Sequence, residues 1–160
     1  MKPVTENCTV AIPTNSRPES LRRCLDATYK NISPNAQVTV VQTTPLSAPS
    51  AVHRQYDKIF EKYSAIRVHT PGDNLPPGQC RRILAEECKT PFILFLDDDI
   101  EIHPQCFEIL ARGLVGQSLD VVSGRWIDYS SERAIGFFYL DAQKHGSSEI
   151  HKVPITYSEA

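Results

Sequence analysis

The chain has no long apolar run. Within its 160 residues the longest apolar segments are strand-sized, so no bilayer span is expected. Residues 1–7 carry no apolar core of the signal-peptide kind, and no secretory leader is expected. Positive charge is not in excess: 17 Lys and Arg stand against 19 Asp and Glu, for a net charge of -2. A broad basic surface is thereby excluded, and with it nucleic acid as the expected partner. There is no Cys-x-x-Cys pair among Cys8, Cys24, Cys80, Cys88 and Cys106. That spacing and the odd count argue against a zinc site and against a disulfide framework, and predict small buried thiols in a cytoplasmic protein. Internal repeats and low-complexity tracts are also missing. What is present is 41% hydrophobic and 22% charged residues, the balance of a soluble domain with one real core.

Along the chain, strand and helix patterns alternate. Residues 8–13 are a short apolar run ending at Pro13, a buried strand. Residues 19–29 place Leu21, Cys24, Leu25 and Thr28 on one helical face, with Pro18 at the start, where a missing N–H costs nothing. Residues 37–42 carry Val38, Val40 and Val41, a β-branched strand. A helix is expected over 49–63, with Val52, Tyr56, Ile59, Phe60 and Tyr63 on one side, then a short strand over 65–69 and a helix over 78–88. Residues 92–96 are five consecutive apolar positions and read as a central strand buried on both faces. Pro104 opens a further helix with Phe107, Leu110, Ala111 and Leu114 inward, and strands are expected over 120–126 and 136–140. This alternation predicts an α/β fold, a mostly parallel sheet with helices on both faces. Ligands in such sheets sit at the carboxyl ends of strands, near a switch in strand order.

Three segments fall at such ends. Asp97, Asp98 and Asp99 follow the strand over 92–96. Adjacent carboxylates repel one another unless a cation neutralises them, and hard oxygen donors suit Mg²⁺ or Mn²⁺. Such a cation keeps positions open for phosphate oxygens; the alternative is a solvated acidic turn. The loop Pro13-Thr14-Asn15-Ser16-Arg17-Pro18 offers short polar side chains for a nucleotide and Arg17 for a phosphate, or else an ordinary turn. In Asn74-Leu75-Pro76-Pro77-Gly78-Gln79-Cys80-Arg81-Arg82, two arginines occupy the first turn of a helix, against its dipole. They face either a bound anion or solvent, with Glu86 as a pairing partner four residues on. His103 reads as a loop or cap residue, and Trp126 as a core residue or a sugar-stacking one.

In this order the segments resemble the family 2 inverting glycosyltransferases of the GT-A fold. The stretch Val10-Ala11-Ile12-Pro13-Thr14-Asn15-Ser16-Arg17-Pro18-Glu19-Ser20-Leu21 looks like the family's opening strand, base-binding loop and first helix. Cys80-Arg81-Arg82 is similar to its Ala-Arg-Asn triplet, and Phe92-Ile93-Leu94-Phe95-Leu96-Asp97-Asp98-Asp99 to its strand and Asp-x-Asp motif. The similarity covers most of residues 8–126. It implies a GT-A, Rossmann-like sheet, a nucleoside diphosphate sugar donor, and Mn²⁺ or Mg²⁺ as cofactor. It implies a nucleotide pocket lined by Pro13, Thr14, Asn15 and Arg17, with Gln42 at the second strand end and Arg81 near the base or diphosphate. Asp97 and Asp98 would adjoin the nucleotide sugar, and Asp97 and Asp99 would hold the metal.

Two departures accompany the resemblance. The family's second strand ends in an acidic turn whose carboxylate reads uracil, and here Gln42-Thr43-Thr44-Pro45 contains no acid. The acceptor-side general base has no matching motif: Asp128, Glu132, Asp141, Glu149 and Glu159 follow Trp126 in other contexts. The catalytic base and the acceptor, whether saccharide, lipid or protein, are therefore unassigned. The expectation is one GT-A domain over 1–160, with the nucleotide-sugar core at 8–126 and an incomplete acceptor side at 127–160. Membrane association is expected only through sequence beyond this chain. The alternative is a truncated module that binds a sugar nucleotide without transferring it. A nucleotidyltransferase would want a glycine-rich loop where Pro13-Thr14-Asn15-Ser16 stands, and a phosphatase would carry its Asp-x-Asp after the first strand.

Overall fold

The structure is a computed structural model, which describes residues 7–33, 36–63, 65–72 and 74–111 together with the strands Val121–Val122 and Tyr139–Leu140. The chain divides into two compact units, Met1–Pro104 and Gln105–Ala160.

The first unit is a parallel sheet with three helices. Its elements are β1 (Cys8–Thr14), α1 (Pro18–Asn31), β2 (Gln37–Gln42), α2 (Ser50–Lys62), β3 (Arg67–His69), α3 (Pro77–Glu87) and β4 (Phe92–Phe95). The sheet order is β3-β2-β1-β4. Strand order reverses at β1, which has β2 on one side and β4 on the other, both parallel to it. The second unit contains α4 (Cys106–Ala111), with Phe107 buried, and an antiparallel pair of β5 (Val121–Val122) and β6 (Tyr139–Leu140). The remainder of the strands expected over 120–126 and 136–140, and Leu114, lie outside the described residues.

β1 and β2 are the middle of the sheet because their side chains suit burial on both faces. Val10, Ala11, Ile12, Val40 and Val41 have no exposed surface, and Thr9 and Thr39 are buried with them. Ala11 is small where α3 approaches, so Cys80 and Leu84 of that helix close over it and over Val41. Helix α1 begins with Pro18 at its first turn, and it buries Leu21, Cys24, Leu25 and Thr28, the expected face. In α2 only Tyr56 and Ile59 are buried, while Val52, Phe60 and Tyr63 are half-buried. Burial pushes the thiol of Cys8 up to about 11 and that of Cys24 up to about 12, so both stay protonated.

Two expectations need correction. The third strand is shorter than 65–69, because only Arg67, Val68 and His69 pair with β2. β4 is the edge strand among the described residues, not a central one buried on both faces. Its residues are half-buried, and Phe95 is 40% exposed. An apolar run reports what a strand tolerates; the neighbour that would cover its second edge is not encoded in the run itself.

The register carries three chain segments to one end of the sheet. Thr14 pairs with Gln42, while β4 stops level with Ala11. Leu96 N–H then donates to Ala11 C=O at 3.0 Å, and Thr43 N–H donates to Thr14 C=O at 3.0 Å. The acidic triplet is thus carried past the last rung, beside the loop that leaves β1.

An ion-paired patch joins α1 to α2. Asp26 accepts from Arg22 and from Lys62, each at 2.7 Å, and from the Tyr63 hydroxyl, whose ring stacks on Tyr29. Hydrogen bonds from Lys62 and Tyr63 hold the Asp26 carboxyl below the usual carboxylate range. A carboxyl depressed by folding contributes stability at neutral pH and loses it as pH falls through its folded pKa. Asp26→Asn is expected to make unfolding free energy less sensitive to acid as pH falls below about 4, read by urea melts at stepped pH. Leu84→Ala, which empties a fully buried position, should cost about 2–5 kcal/mol in the same assay at pH 7.

Candidate functional site

Beyond the carboxyl ends of β1 and β2 lies an open cleft of about 450 Å³. It is lined by Pro13, Thr14, Asn15 and Arg17 of the first loop, by Thr43, by Asn74, Leu75, Pro76 and Pro77, by Cys80 and Arg81 of α3, and by Asp97. The size suits a small-molecule site. Its walls divide by chemistry. Prolines and Leu75 give apolar faces; Thr14, Asn15, Thr43 and Asn74 give neutral hydrogen-bonding groups; Arg81 and Arg17 give positive charge.

Two loops are bent sharply to make the rim. Ser16 and Asn74 adopt left-handed backbone conformations, with φ of 54° and 56°. Asparagine tolerates this region, whereas serine is held there by its surroundings. Ser16 N–H donates to Thr44 Oγ1 at 3.1 Å, and Asn74 N–H donates to Thr43 C=O at 3.2 Å. The Asn15 amide bridges the loops, donating to Asn74 Oδ1 at 3.1 Å.

The triplet splits into one inward and two outward carboxylates. Asp98 is wholly buried. Its Oδ2 accepts from the Thr14 hydroxyl at 2.6 Å, and its Oδ1 faces the Arg17 guanidinium at 2.5 Å. Burial pushes its carboxyl upward, partly offset by Thr14 and Arg17. Asp99 is half-exposed and meets Arg17 at 2.9 Å; Asp97 is similarly exposed and meets Arg81 at 2.5 Å. Two guanidiniums therefore answer three carboxylates. Arg82 takes the solvent-side alternative and lies 3.8 Å from Glu86.

Of the residues expected around a nucleotide, the structure brings Pro13, Thr14, Asn15, Arg17, Arg81 and Asp97 to the cleft. Gln42, Asp98 and Asp99 do not line it. Gln42 is the last β2 residue, and the next residue, Thr43, lines the cleft instead. Strand alternation is the signal that separates the two, since successive side chains take opposite faces. Asp98 faces into the protein, where Thr14 and Arg17 meet it. Trp126, Asp128, Glu132, Asp141, Glu149 and Glu159 lie outside the described residues.

For a divalent cation, Asp97 and Asp99 supply two outward carboxylates. Among the described residues no three His, Cys, Asp or Glu side chains gather as a ready-made cage. This donor set fits a hard cation of the Mg²⁺ kind, which is commonly held by one or two carboxylates and completes its shell from phosphate and water. Asp97 would exchange Arg81 for the metal, whereas Arg17, released by Asp99, would stay on Asp98.

Comparison with known proteins bears on the family and the fold. Residues 9–151 match the family model described as Glycosyl transferase family 2. The chain is 21% identical over 141 residues to Glycosyltransferase GlyA of Streptococcus pneumoniae serotype 4 (strain ATCC BAA-334 / TIGR4), which covers 86% of this chain and 19% of that protein. The fold is similar to the crystal structure of S. aureus TarS 1-349, with a TM-score of 0.56, 21% identity, and coverage of 71% of this chain and 34% of that one. The same protein in complex with UDP gives a TM-score of 0.57 at 22% identity, over 71% of this chain and 33% of that one. The chain thus spans about a fifth of the curated relative and a third of the solved structures.

The inward and outward carboxylates should separate by mutation. Asp98→Ala leaves the Thr14 hydroxyl without its acceptor and should cost about 1–3 kcal/mol. Asp97→Ala and Asp99→Ala remove exposed pairs and should each cost less than about 1 kcal/mol. Urea denaturation at pH 7 distinguishes the three.

Proposed function

The chain belongs to glycosyl transferase family 2, and on that premise we propose that its cleft binds a nucleoside diphosphate sugar, whose sugar the whole protein transfers to an acceptor with inversion. The observation that carries this reading is the pairing of a split acidic loop with a mixed apolar and polar cleft at the reversal of strand order. A complex of the structurally similar TarS with UDP supports the nucleotide as ligand class.

In this reading the base lies against Pro13, Leu75 and Pro76, and the ribose meets the hydroxyls and amides of Thr14, Asn15, Thr43 and Asn74. The diphosphate faces Arg81 and the first turn of α3. Asp97 and Asp99 would hold Mn²⁺ or Mg²⁺, which when bound supplies a Lewis acid for the departing diphosphate. Arg81 in turn, freed from Asp97, offers its planar donor fork to phosphate oxygens. The acceptor hydroxyl needs a general base, and no described residue is assigned that role. All five cysteines are free, which suits a reducing compartment and a cytoplasmic enzyme. Among the described residues no helix is long and apolar enough to cross a membrane.

Binding should depend on the cation. Titration calorimetry with UDP or GDP is expected to show binding with Mn²⁺ that is lost in EDTA and in Asp99→Ala. Equal affinity in all three conditions would overturn the metal assignment.

The base should be read without a charge. The carboxylate in the cleft lining is Asp97, already paired with Arg81, and the second strand end offers Thr43, so in this reading uracil meets neutral partners, which bind it more weakly than an anionic acceptor would. A panel of UDP, GDP, ADP and CDP should give affinities within about a hundredfold of one another, the range that a single well-placed polar contact commands. A larger preference for UDP would contradict this.

A further inference from the structure

The buried stripe of α2 brings a phenol to the back of the acidic loop. Tyr56 is 1% exposed, one of the largest side chains in the core. Its hydroxyl takes the Arg17 N–H at 3.0 Å and lies 2.9 Å from Thr14 Oγ1. Thr14 Oγ1 in turn lies 2.6 Å from Asp98 Oδ2.

The direction of these bonds follows from counting hydrogens. Asp98 faces a guanidinium and accepts on Oδ2, so the single Thr14 hydrogen goes to it. Thr14 must then accept from Tyr56, whose own hydrogen is spent there. The phenol oxygen retains lone pairs and accepts from Arg17 N–H. The chain of donation runs Arg17 N–H to Tyr56, Tyr56 to Thr14, and Thr14 to Asp98, each bond polarising the next.

Arg17 is consequently held at both ends. Its backbone is fixed by Tyr56, and its guanidinium bridges Asp98 and Asp99. The preceding Ser16 N–H is held by Thr44. Two consecutive amides anchored on side chains explain how a serine is kept at a φ of 54°.

We propose that Tyr56 is a positioning residue for the donor site, setting the placement of Thr14, Arg17 and, through them, Asp98 and Asp99. It lies outside the cleft lining, and it acts through residues that the proposed function uses; the inference rests on that reading for its effect on ligand.

The test is a double-mutant cycle in the full chain, probed with UDP, GDP, ADP and CDP in the presence of Mn²⁺. Tyr56→Phe keeps the ring and removes the hydroxyl, and Thr14→Val removes the next link. Each should weaken the best-bound nucleotide about tenfold, the effect of about one hydrogen bond. The double variant should lose little more than the worse single one, whereas independent roles would multiply to about a hundredfold. Phe60→Leu is the control: Phe60 stacks on the Tyr56 ring at 5.8 Å and brings no hydrogen-bonding side-chain group to the relay. It should lower Tm and leave affinity unchanged. Where Tyr56→Phe does not fold, amide exchange at Arg17 in the parent chain decides: protection is expected if the phenol holds that N–H, and free exchange would overturn the proposal. A nucleotide-free measurement separates this proposal from the function. Amide exchange at Arg17 should accelerate, and backbone resonances of residues 97–99 should shift, in Tyr56→Phe but not in Phe60→Leu. If no nucleotide binds the parent chain and those changes are seen, the functional reading fails and the positioning role stands. Parent-like affinity in Tyr56→Phe, multiplying losses in the cycle, or unchanged Arg17 exchange would each overturn it.

Discussion

Asp98 has no contact with solvent, so its charge has to be answered from within the protein. An isolated buried carboxylate is costly enough to reorganise what surrounds it. Here the answer comes from the loop after β1: Thr14 supplies a hydroxyl, and Arg17 swings its guanidinium over the carboxylate. That requirement ties the end of β4 to the end of β1, and through Tyr56 it reaches α2. The shape of the site follows from the tie. With the middle carboxylate turned in, its neighbours on either side turn out, and Asp97 takes its place in the cleft wall.

The parallel sheet contributes by arithmetic. β1 runs three residues beyond the last residue paired with β4, and those three residues are the wall against which the acidic loop packs. The same extension brings Thr14 level with Gln42 and lets Thr43 fold over the strand end. A small residue at Ala11 permits the close approach of α3, whose second turn carries Arg81 to Asp97. Packing of apolar side chains thus decides where the charged ones meet.

Much of this was legible in the sequence. Periodicity alone gives β2 at 37–42 without error and α1, α2 and α3 to within two residues at either end, because proline entries and apolar stripes mark helices locally. The clustering of the first loop with Arg81 and Asp97 follows from placing each at a strand or helix end. Other features need three dimensions. An apolar run such as Phe92–Phe95 does not say which edge of the sheet it takes. A triplet of identical residues does not reveal which member turns inward, since that depends on a donor eighty-four positions away in sequence. Tyr56 read only as one residue of a core stripe, because nothing in helical periodicity distinguishes a phenol that packs from one that also donates. Gln42 is the second strand end that the resemblance implies, and only the pleat shows that the next residue, Thr43, faces the cleft.

The two arginines of the site have unequal freedom. Arg17 serves a carboxylate that water cannot reach, and any departure strands that charge. Arg81 serves only Asp97, which is 39% exposed and which solvent or a cation can satisfy in its place. The first is therefore part of the scaffold, and the second is the one side chain of the pair able to change partners when a ligand enters the cleft. A site of this construction keeps its geometry in one arginine and its responsiveness in the other, so substitutions at position 17 would be felt as folding defects and those at position 81 as changes in what the cleft holds.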